Sequence, residues 1–320
     1  MLHELFSMSL YNIKQRKLRS FLTVLGIVIG IAAVVSTISL GFGMQQNLVD
    51  QFTSFFPDVI TVIPQKVSFT EGPLDMGGKV IKLTSIDEKE IENVDGVMVV
   101  SPMLETSASI EYNTETGKLN VMGIKYPRKW EMIQANVIGL ESGRLLSSSD
   151  RYAAVIGYDV AYDMWEKDIG IKKTIKINGV DFRVVGILNK AGGFLRDFDQ
   201  GIFIPMDSAR EIFSDTFDEN EFSFIIVKTK KGYDVEVVAN KIEEKLLDIH
   251  KQTEDTKSFT IFTPKFFQKQ INSILSSFTM FLTLLGAISL LIGGIGIMNI
   301  MYISCLLYTS PSPRDLSTSR

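Results

Sequence analysis

Two long stretches of the chain carry no charged side chain, and they constrain its fold more than any other feature. The first runs from Phe21 to Leu40 (FLTVLGIVIGIAAVVSTISL), and the second from Ser273 to Ser304. A helix of about 20 residues, at 1.5 Å per residue, spans roughly 30 Å, the thickness of the hydrocarbon core of a bilayer. The sequence therefore predicts two transmembrane helices, at residues 21–41 and 273–304.

Four basic residues precede the first stretch and predict its orientation. They are Lys14, Arg16, Lys17 and Arg19. Because Lys and Arg are enriched on the cytoplasmic side of a span, we expect a cytoplasmic N-terminus and an exit from the membrane near residues 41–43. A cleaved signal peptide is the alternative, but its apolar region would be unusually long and no small-x-small cleavage site follows. Residues 1–20 are expected to form a basic amphipathic helix on the inner leaflet or a cytoplasmic extension of the first span.

Glycines recur in both predicted spans. The first contains a GxxxG pair and the second a denser group; these candidates for helix packing are Gly26, Gly30, Gly286, Gly293, Gly294 and Gly296. Small residues let helix backbones approach closely in lipid, where packing drives association. Glycine is also common in membrane helices in general, so the pattern makes helix packing a hypothesis.

The net charge of −4 is unevenly divided along the chain. The first 41 residues sum to about +3 and the last 16 to about +1, so the middle carries about −8. An acidic middle disfavours nucleic acid as a partner. The single cysteine, Cys305, excludes an intrachain disulfide.

Residues 42–270 are expected to form an extracytoplasmic domain, long enough to bury a core of its own. A strand–helix–strand pattern occurs in it twice, within residues 58–104 and 216–263. The second helix is the clearer one, because apolar residues recur at helical spacing between Val235 and Ile249. Two such units commonly pack as one antiparallel sheet with both helices on one face.

A β-rich insert at residues 105–215 separates the two units. Its clearest element is a hairpin in which Asn178-Gly179 joins strands 174–177 and 180–188, because Asn-Gly suits a type I′ turn. Residues 158–165 read as a helix and 97–100 as a short strand. Capping boxes are predicted at Ser85 with Glu88 and at Ser208 with Glu211. The predicted class is thus membrane α-helical plus α+β, with two spans flanking a two-part domain.

The sequence offers no catalytic or cofactor-binding constellation. His3 and His250 fall on opposite sides of the membrane in the predicted topology, so they cannot share a site. The sequence contains no GxxxxGK[ST], HExxH, CxxC or GxSxG motif. We therefore predict no catalytic residue, no metal site and no bound cofactor. A membrane-anchored enzyme is the disfavoured alternative.

Several motifs in a fixed order carry a family resemblance over residues 5–304. They are KLRSFLTVLGIVIGIAAVVS, LTSIDEKEIENVDGVMVVSP, AAVIGYDVAYDMW, KKTIKINGVDFRVVGIL, GIFIPMDSAREIF and SLLIGGIGIMNIMYIS. The chain resembles the permease family of ABC transporters typified by the macrolide exporter MacB, with FtsX-like and lipoprotein-releasing relatives. That resemblance implies a porter-like part interrupted by a β-rich part, and a permease with no catalytic residues of its own.

The resemblance also implies partners and a mechanism. ATP with Mg²⁺ would be hydrolysed on a separate or fused cytoplasmic ATPase, and permeases would pair as homo- or heterodimers in the plasma membrane of a prokaryote. The helices would transmit the motion of the ATPase to the exported domain. That domain would move a substrate, or control an extracytoplasmic adaptor or hydrolase, without carrying the substrate through the bilayer. The alternative is an FtsX-like regulator that activates a cell-wall hydrolase or senses a ligand.

The end of the chain departs from the family pattern. Such permeases have four spans, whereas here the second span is followed by CLLYTSPSPRDLSTSR. The switch to Ser, Thr and Pro predicts a non-native tail at residues 305–320. We expect a truncated product that lacks the third and fourth spans.

Overall fold

The computed structural model describes residues 17–65, 81–134 and 139–309. The strands in these ranges are β1 (Val59–Ile63), β2 (Leu83–Thr84), β3 (Val97–Tyr112), β4 (Glu115–Ile124), β5 (Leu140–Gly143), β6 (Ala153–Ile156), β7 (Thr174–Ile177), β8 (Val180–Leu188), β9 (Ile202–Pro205), β10 (Glu221–Phe222), β11 (Phe224–Thr229) and β12 (Thr260–Phe262). The helices are α1 (Lys17–Phe55), α2 (Ser85–Glu92), α3 (Pro127–Ile133), α4 (Tyr158–Tyr162), α5 (Arg196–Asp199), α6 (Met206–Ile212), α7 (Val235–His250) and α8 (Pro264–Thr309), and a 3₁₀ turn at Gly193–Leu195 precedes α5.

The chain divides into two compact units. One unit holds most of α1 and α8, and the other comprises residues 48–270. Two long apolar helices therefore flank a mixed α+β domain, as the sequence predicts.

The two strand–helix–strand patterns lie side by side in one antiparallel sheet, which confirms that prediction. The strand order is β12-β1-β11-β3, with Thr61 opposite Phe262 and Ile60 opposite Val227. Helices α2 and α7 bury Ile91 and Ile242 in the same core cluster as inward residues of these strands. Both helices therefore cover one face of the sheet. We call β1, α2, β11, α7 and β12, with the start of β3, the βαβ half.

The opposite face of that sheet is covered by the short helix α3. Trp130 and Ile133 of α3 join a second core cluster that contains Val99 of β3 and Ile226 of β11. Alternate residues of one strand thus point into two different cores, as the two-residue period of a strand requires.

The sheet continues beyond β3 in the order β4-β9-β6-β8-β5, and β7 pairs with both β3 and β8. We call residues 105–215 the β-rich half. The predicted strand at 97–100 was too short, because β3 runs for 16 residues to Tyr112. All ten residues of β4 pair with β3 and extend it, which the local sequence does not reveal.

The hairpin predicted at Asn178-Gly179 is confirmed. Strands β7 and β8 pair in antiparallel register, with Ile177 opposite Val180. Asn178 has φ 47° and Gly179 has φ 82°, the left-handed conformations that a type I′ turn requires.

Both predicted capping boxes were wrong in detail. The first lies one residue earlier, because the Thr84 side chain accepts from the start of α2 and Asp87 accepts from the Thr84 amide. At α6 there is no side-chain cap: Ser208 donates to the carbonyl of Arg151 instead. The predicted helix at 158–165 was too long, since α4 ends at Tyr162.

The two apolar helices are longer than the predicted spans. Helix α1 has 39 residues and continues to Phe55, past the exit expected near residues 41–43. Helix α8 has 46 residues and continues to Thr309, so it includes the first residues of the predicted non-native tail. Both are long and apolar enough to cross a membrane, with candidate segments Val28–Asp50 and Pro264–Gly296. Residues 1–16 and 310–320 lie outside the described part of the chain.

Candidate functional site: the helix pair and its joints to the sheet

Helices α1 and α8 contact each other at two small residues. A Cβ atom placed on Gly286 of α8 would lie 3.1 Å from Cγ2 of Val34, and one placed on Gly30 of α1 would lie 3.8 Å from Cβ of Ser289. From the first contact to the second, the residue number decreases along α1 and increases along α8, so the helices are antiparallel here. The Val34 side chain occupies space that any residue larger than glycine at 286 would need.

Around this contact, half-buried residues recur as a stripe along each helix. The stripe includes Gly30, Val34, Ile38 and Gly41 on α1, and Leu282, Gly286, Gly293 and Gly296 on α8. Spacings of three, four and seven residues keep each stripe on one side of its helix. Large apolar side chains elsewhere on both helices are exposed, for example Phe42 and Phe278.

The structure brings only some of the predicted glycines to the helix contact. Gly30 and Gly286 face the other helix, whereas a Cβ on Gly26 or Gly294 would meet no heavy atom within 4 Å. Their roles in helix packing remain predictions. Sequence reasoning missed Val34 and Ser289, which supply the opposite side of each contact and carry no motif of their own.

Of the predicted basic cluster, Lys17 and Arg19 lie in the first turn of α1. Lys14 and Arg16 lie outside the described residues. The orientation that these four residues predict therefore remains a prediction.

Three hydroxyl groups within α8 donate to carbonyls of the helix itself. Ser277 donates to the carbonyl of Ser273 at 3.1 Å, Thr283 to that of Thr279 at 2.7 Å, and Ser289 to that of Leu285 at 3.0 Å. Such bonds to the preceding turn let Ser and Thr lie in an apolar environment without an unpaired donor.

A single residue, Thr263, joins β12 to α8. Its Oγ1 accepts a hydrogen bond from the amide of Phe266 at 3.0 Å, and its carbonyl accepts one from Phe267. Pro264 is the first residue of the helix, where its missing N–H costs nothing. The ring of Phe262 lies 4.9 Å from that of Phe266 and 6.2 Å from that of Phe267. The Thr-Pro dipeptide is the local sequence signal for the start of this helix.

The other helix reaches the neighbouring strand through a short link. Helix α1 ends at Phe55 and β1 begins at Val59. Within that link Phe56 packs against the second core cluster. Since β1 and β12 are paired antiparallel neighbours, both long helices are joined covalently to adjacent strands of one sheet.

Titratable groups of the α+β domain are engaged in internal contacts. Burial opposes the charge of Lys125, but hydrogen bonds with Glu88 and Tyr126 outweigh burial and raise its pKa. Burial, and then the charge of Asp197, raises the pKa of Glu105. Among the described residues, no group of three His, Cys, Asp or Glu side chains is placed to hold a metal ion.

Comparisons with known proteins identify the same family as the sequence motifs that carry the resemblance. Residues 20–245 match the family of the MacB-like periplasmic core domain. The chain is 33% identical over 303 residues to an uncharacterised ABC transporter permease of Methanocaldococcus jannaschii, which covers 95% of this chain and 72% of the relative. It is 31% identical over 296 residues to the macrolide export ATP-binding/permease protein MacB of Bdellovibrio bacteriovorus, covering 90% of this chain and 44% of that protein. The chain therefore spans less than half of the length of that relative.

A solved structure shares the fold. The crystal structure of the periplasmic region of MacB from Actinobacillus actinomycetemcomitans superposes with a TM-score of 0.55 at 16% identity, and the match covers 68% of this chain and 94% of that one.

Proposed function

Because the chain belongs to the family of ABC transporter permeases with a MacB-like periplasmic core domain, we propose that it is the membrane subunit of an ABC-type export or mechanotransmission system. In this proposal α1 and α8 cross the plasma membrane of a prokaryote. The N-terminus lies in the cytoplasm and the α+β domain lies outside it. The basic residues between Lys14 and Arg19 support that orientation under the positive-inside rule.

The observation that carries the proposal is the pair of joints between helices and sheet. Helix α8 follows β12 after one residue, and β1 follows α1 after three. A displacement of either helix would therefore act directly on two hydrogen-bonded neighbours in the βαβ half. A long flexible linker at either joint would absorb such a displacement, and neither joint has one.

The lengths of the helices support the same role. With 39 and 46 residues, α1 and α8 extend for about 58 and 69 Å, well beyond the roughly 30 Å of a bilayer core. Each helix is thus long enough to cross the hydrocarbon region and still extend beyond it.

The energy source in this proposal is a partner protein. The chain has no P-loop motif, so ATP and Mg²⁺ would be bound by a cytoplasmic ATPase. Two permeases would form the membrane part, and nucleotide binding would favour one of two arrangements of their helices. The α+β domain would then act on a substrate or an extracytoplasmic adaptor.

Co-expression with a P-loop ATPase from the same genome tests the proposal. The permease, expressed in the length in which its source encodes it, should co-purify with the ATPase and stimulate ATP hydrolysis in proteoliposomes. Inserting two glycines between Thr263 and Pro264 should preserve co-purification but uncouple hydrolysis from movement of the α+β domain. The same insertion between Asn178 and Gly179, in a hairpin turn, should preserve both co-purification and coupling. Failure to bind any ATPase would refute the proposal, and specific capture of a wall hydrolase by the domain would favour the FtsX-like alternative.

A further inference from the structure

We propose that a clamp around Phe222 locks the βαβ half and the β-rich half of the α+β domain into one rigid body. The Phe222 clamp consists of Glu88, Lys125, Arg210 and Phe222. Its residues come from α2, the position just after β4, α6 and β10, so it joins segments that are far apart in the chain.

The return from the β-rich half to the βαβ half passes through residues 213–224. Phe222, near the end of this segment, is 2% exposed. The Lys125 ammonium lies 5.1 Å from the centre of its ring, and the Arg210 guanidinium lies 5.4 Å from it. Cations within about 6 Å of a ring centre are attracted by its π electrons. The aromatic side chain of the return segment is therefore held by two cations of the β-rich half.

Each cation also makes polar contacts that fix its position. Lys125 donates to Oε2 of Glu88 at 2.6 Å, and the Glu88 side chain is almost fully buried. Arg210 donates to the carbonyls of Asp218 and Glu221, both at 2.8 Å. Without Lys125 the buried Glu88 carboxylate would lose its cation, and α2 would have to shift to bring it to water.

Two further contacts close the same junction. Lys82, just before β2, pairs with the carboxylates of Asp218 and Glu221. On the other side, the Ser223 hydroxyl accepts from the amide of Glu105 at 2.8 Å, where β3 enters the β-rich half. The outgoing and returning segments are thus tied to each other and to α2.

The clamp would let force reach the whole domain. A displacement delivered to β1 and β12 would turn residues 105–215 together with the βαβ half, because the clamp holds the junction closed. This consequence rests on the proposed function, whereas the rigidity itself can be measured without any ATPase.

Distance measurements between spin labels test the clamp in the full chain. Labels at Val237→Cys on α7 and Lys176→Cys on β7 report on the two halves, after Cys305→Ser removes the native thiol. Both label positions are exposed. The otherwise unchanged protein should give one narrow distance distribution, and Lys125→Ala should broaden it or add a second distance.

Conservative and matched variants keep the test decisive. Lys125→Arg should retain the narrow distribution, and so should Lys118→Ala, which removes an exposed lysine from β4, the strand that ends just before Lys125. Phe222→Leu keeps an apolar side chain but removes the ring, and should broaden the distribution as well.

Amide exchange at residues 221–224 should become about tenfold faster in the Lys125→Ala chain while exchange in α7 stays unchanged, as in a local opening. A narrow distribution in both the Lys125→Ala and Phe222→Leu chains, or a broad one in the unchanged protein, would overturn the clamp and leave the ATPase proposal standing.

Discussion

The imidazole Nε2 of His250 lies 2.8 Å from Oδ1 of Asp87, across 163 residues of sequence. Asp87 is fully buried at the start of α2, and His250 is the last residue of α7. The other carboxylate oxygen of Asp87 accepts from the amide and the hydroxyl of Thr84 at 2.7 and 3.0 Å. One buried carboxylate therefore serves as the cap of α2 and as one of the contacts between the two strand–helix–strand units.

Removing the imidazole should destabilise the α+β domain. In the His250→Ala chain, Oδ1 of the buried Asp87 loses its donor, and a buried polar group left without a partner costs about 1–3 kcal/mol. We expect a lower midpoint of thermal unfolding in detergent micelles. His250→Gln, which offers an amide donor, should recover part of the loss. Equal midpoints for His250→Ala and the unchanged chain would show that this contact contributes nothing.

Periodicity predicted the βαβ half well because each of its elements has a strong local pattern. The apolar stripe from Val235 to Ile249 matches α7 closely. In the β-rich half, Asn178-Gly179 likewise produces the predicted turn, because the signal is local. Local sequence could not predict β3, because its second half is a strand only through pairing with β4 and β7. Whether Ser109 lies in a loop or a strand depends on residues that follow it.

The helix caps show a different limit. The segment Thr84-Ser85-Ile86-Asp87-Glu88 offers two overlapping capping boxes. The structure uses Thr84 with Asp87, and Glu88 pairs instead with Lys125, which lies 37 residues away. At α6, Glu211 accepts from Tyr152, so it is likewise engaged by a distant residue. A local motif cannot decide whether a carboxylate caps its own helix or pairs with a distant residue. In the same way, the role of Val34 depends on Gly286, which is distant in the sequence.

The carboxyl of Glu105 should make stability depend on pH. Burial, and then the charge of Asp197, raises its pKa, so the folded state binds this proton more tightly than the unfolded state. The charged group therefore lowers stability above its folded pKa, and the penalty vanishes below the unfolded pKa of about 4.3. We expect Glu105→Gln to raise the unfolding midpoint at neutral pH and to lose this advantage near about pH 4.

The half-buried Glu111 on the same strand provides the control for that prediction. Glu111→Gln makes the same chemical change at another position of β3 and should change the midpoint at neutral pH by a smaller amount. A Glu105→Gln chain that is less stable than the unchanged protein at neutral pH would contradict the assignment of burial as the dominant effect.

The contact between α1 and α8 should be accessible to cross-linking. The 3.8 Å between a Cβ on Gly30 and the Cβ of Ser289 falls within the range of about 3.5–4.5 Å that disulfides require. In a Cys305→Ser background, we expect Gly30→Cys with Ser289→Cys to oxidise readily in membranes, as measured by protection from maleimide-polymer labelling. Gly26→Cys with Ser289→Cys should remain reduced, because a Cβ on Gly26 meets no atom of the other helix.

The same cross-link measures how closely the helices pack. Gly286→Leu should slow oxidation, because the larger side chain would collide with Val34, and Val34→Ala should restore part of the rate. Gly294→Leu is the matched control, since a Cβ at that position has open space. Equal rates for the Gly286→Leu and Gly294→Leu chains would mean that the two helices do not hold this contact.

The joint at Thr263 should depend on its hydroxyl group. Replacing an N-cap Thr by Ala costs typically about 1 kcal/mol, because an amide of the first turn loses its acceptor. In the Thr263→Ala chain we therefore expect faster amide exchange at Phe266 and in the turn that follows it, measured by mass spectrometry on the full chain in micelles. Thr263→Ser keeps the acceptor and should exchange like the unchanged protein. The buried β12 residue Ile261 should be unaffected in both variants, since its backbone pairs with β1 rather than with the cap. If exchange at Ile261 were accelerated as well, the cap would hold the strand and the helix together as one unit. If exchange at Phe266 were unchanged, the ring contacts of Phe262 would hold the joint without the cap.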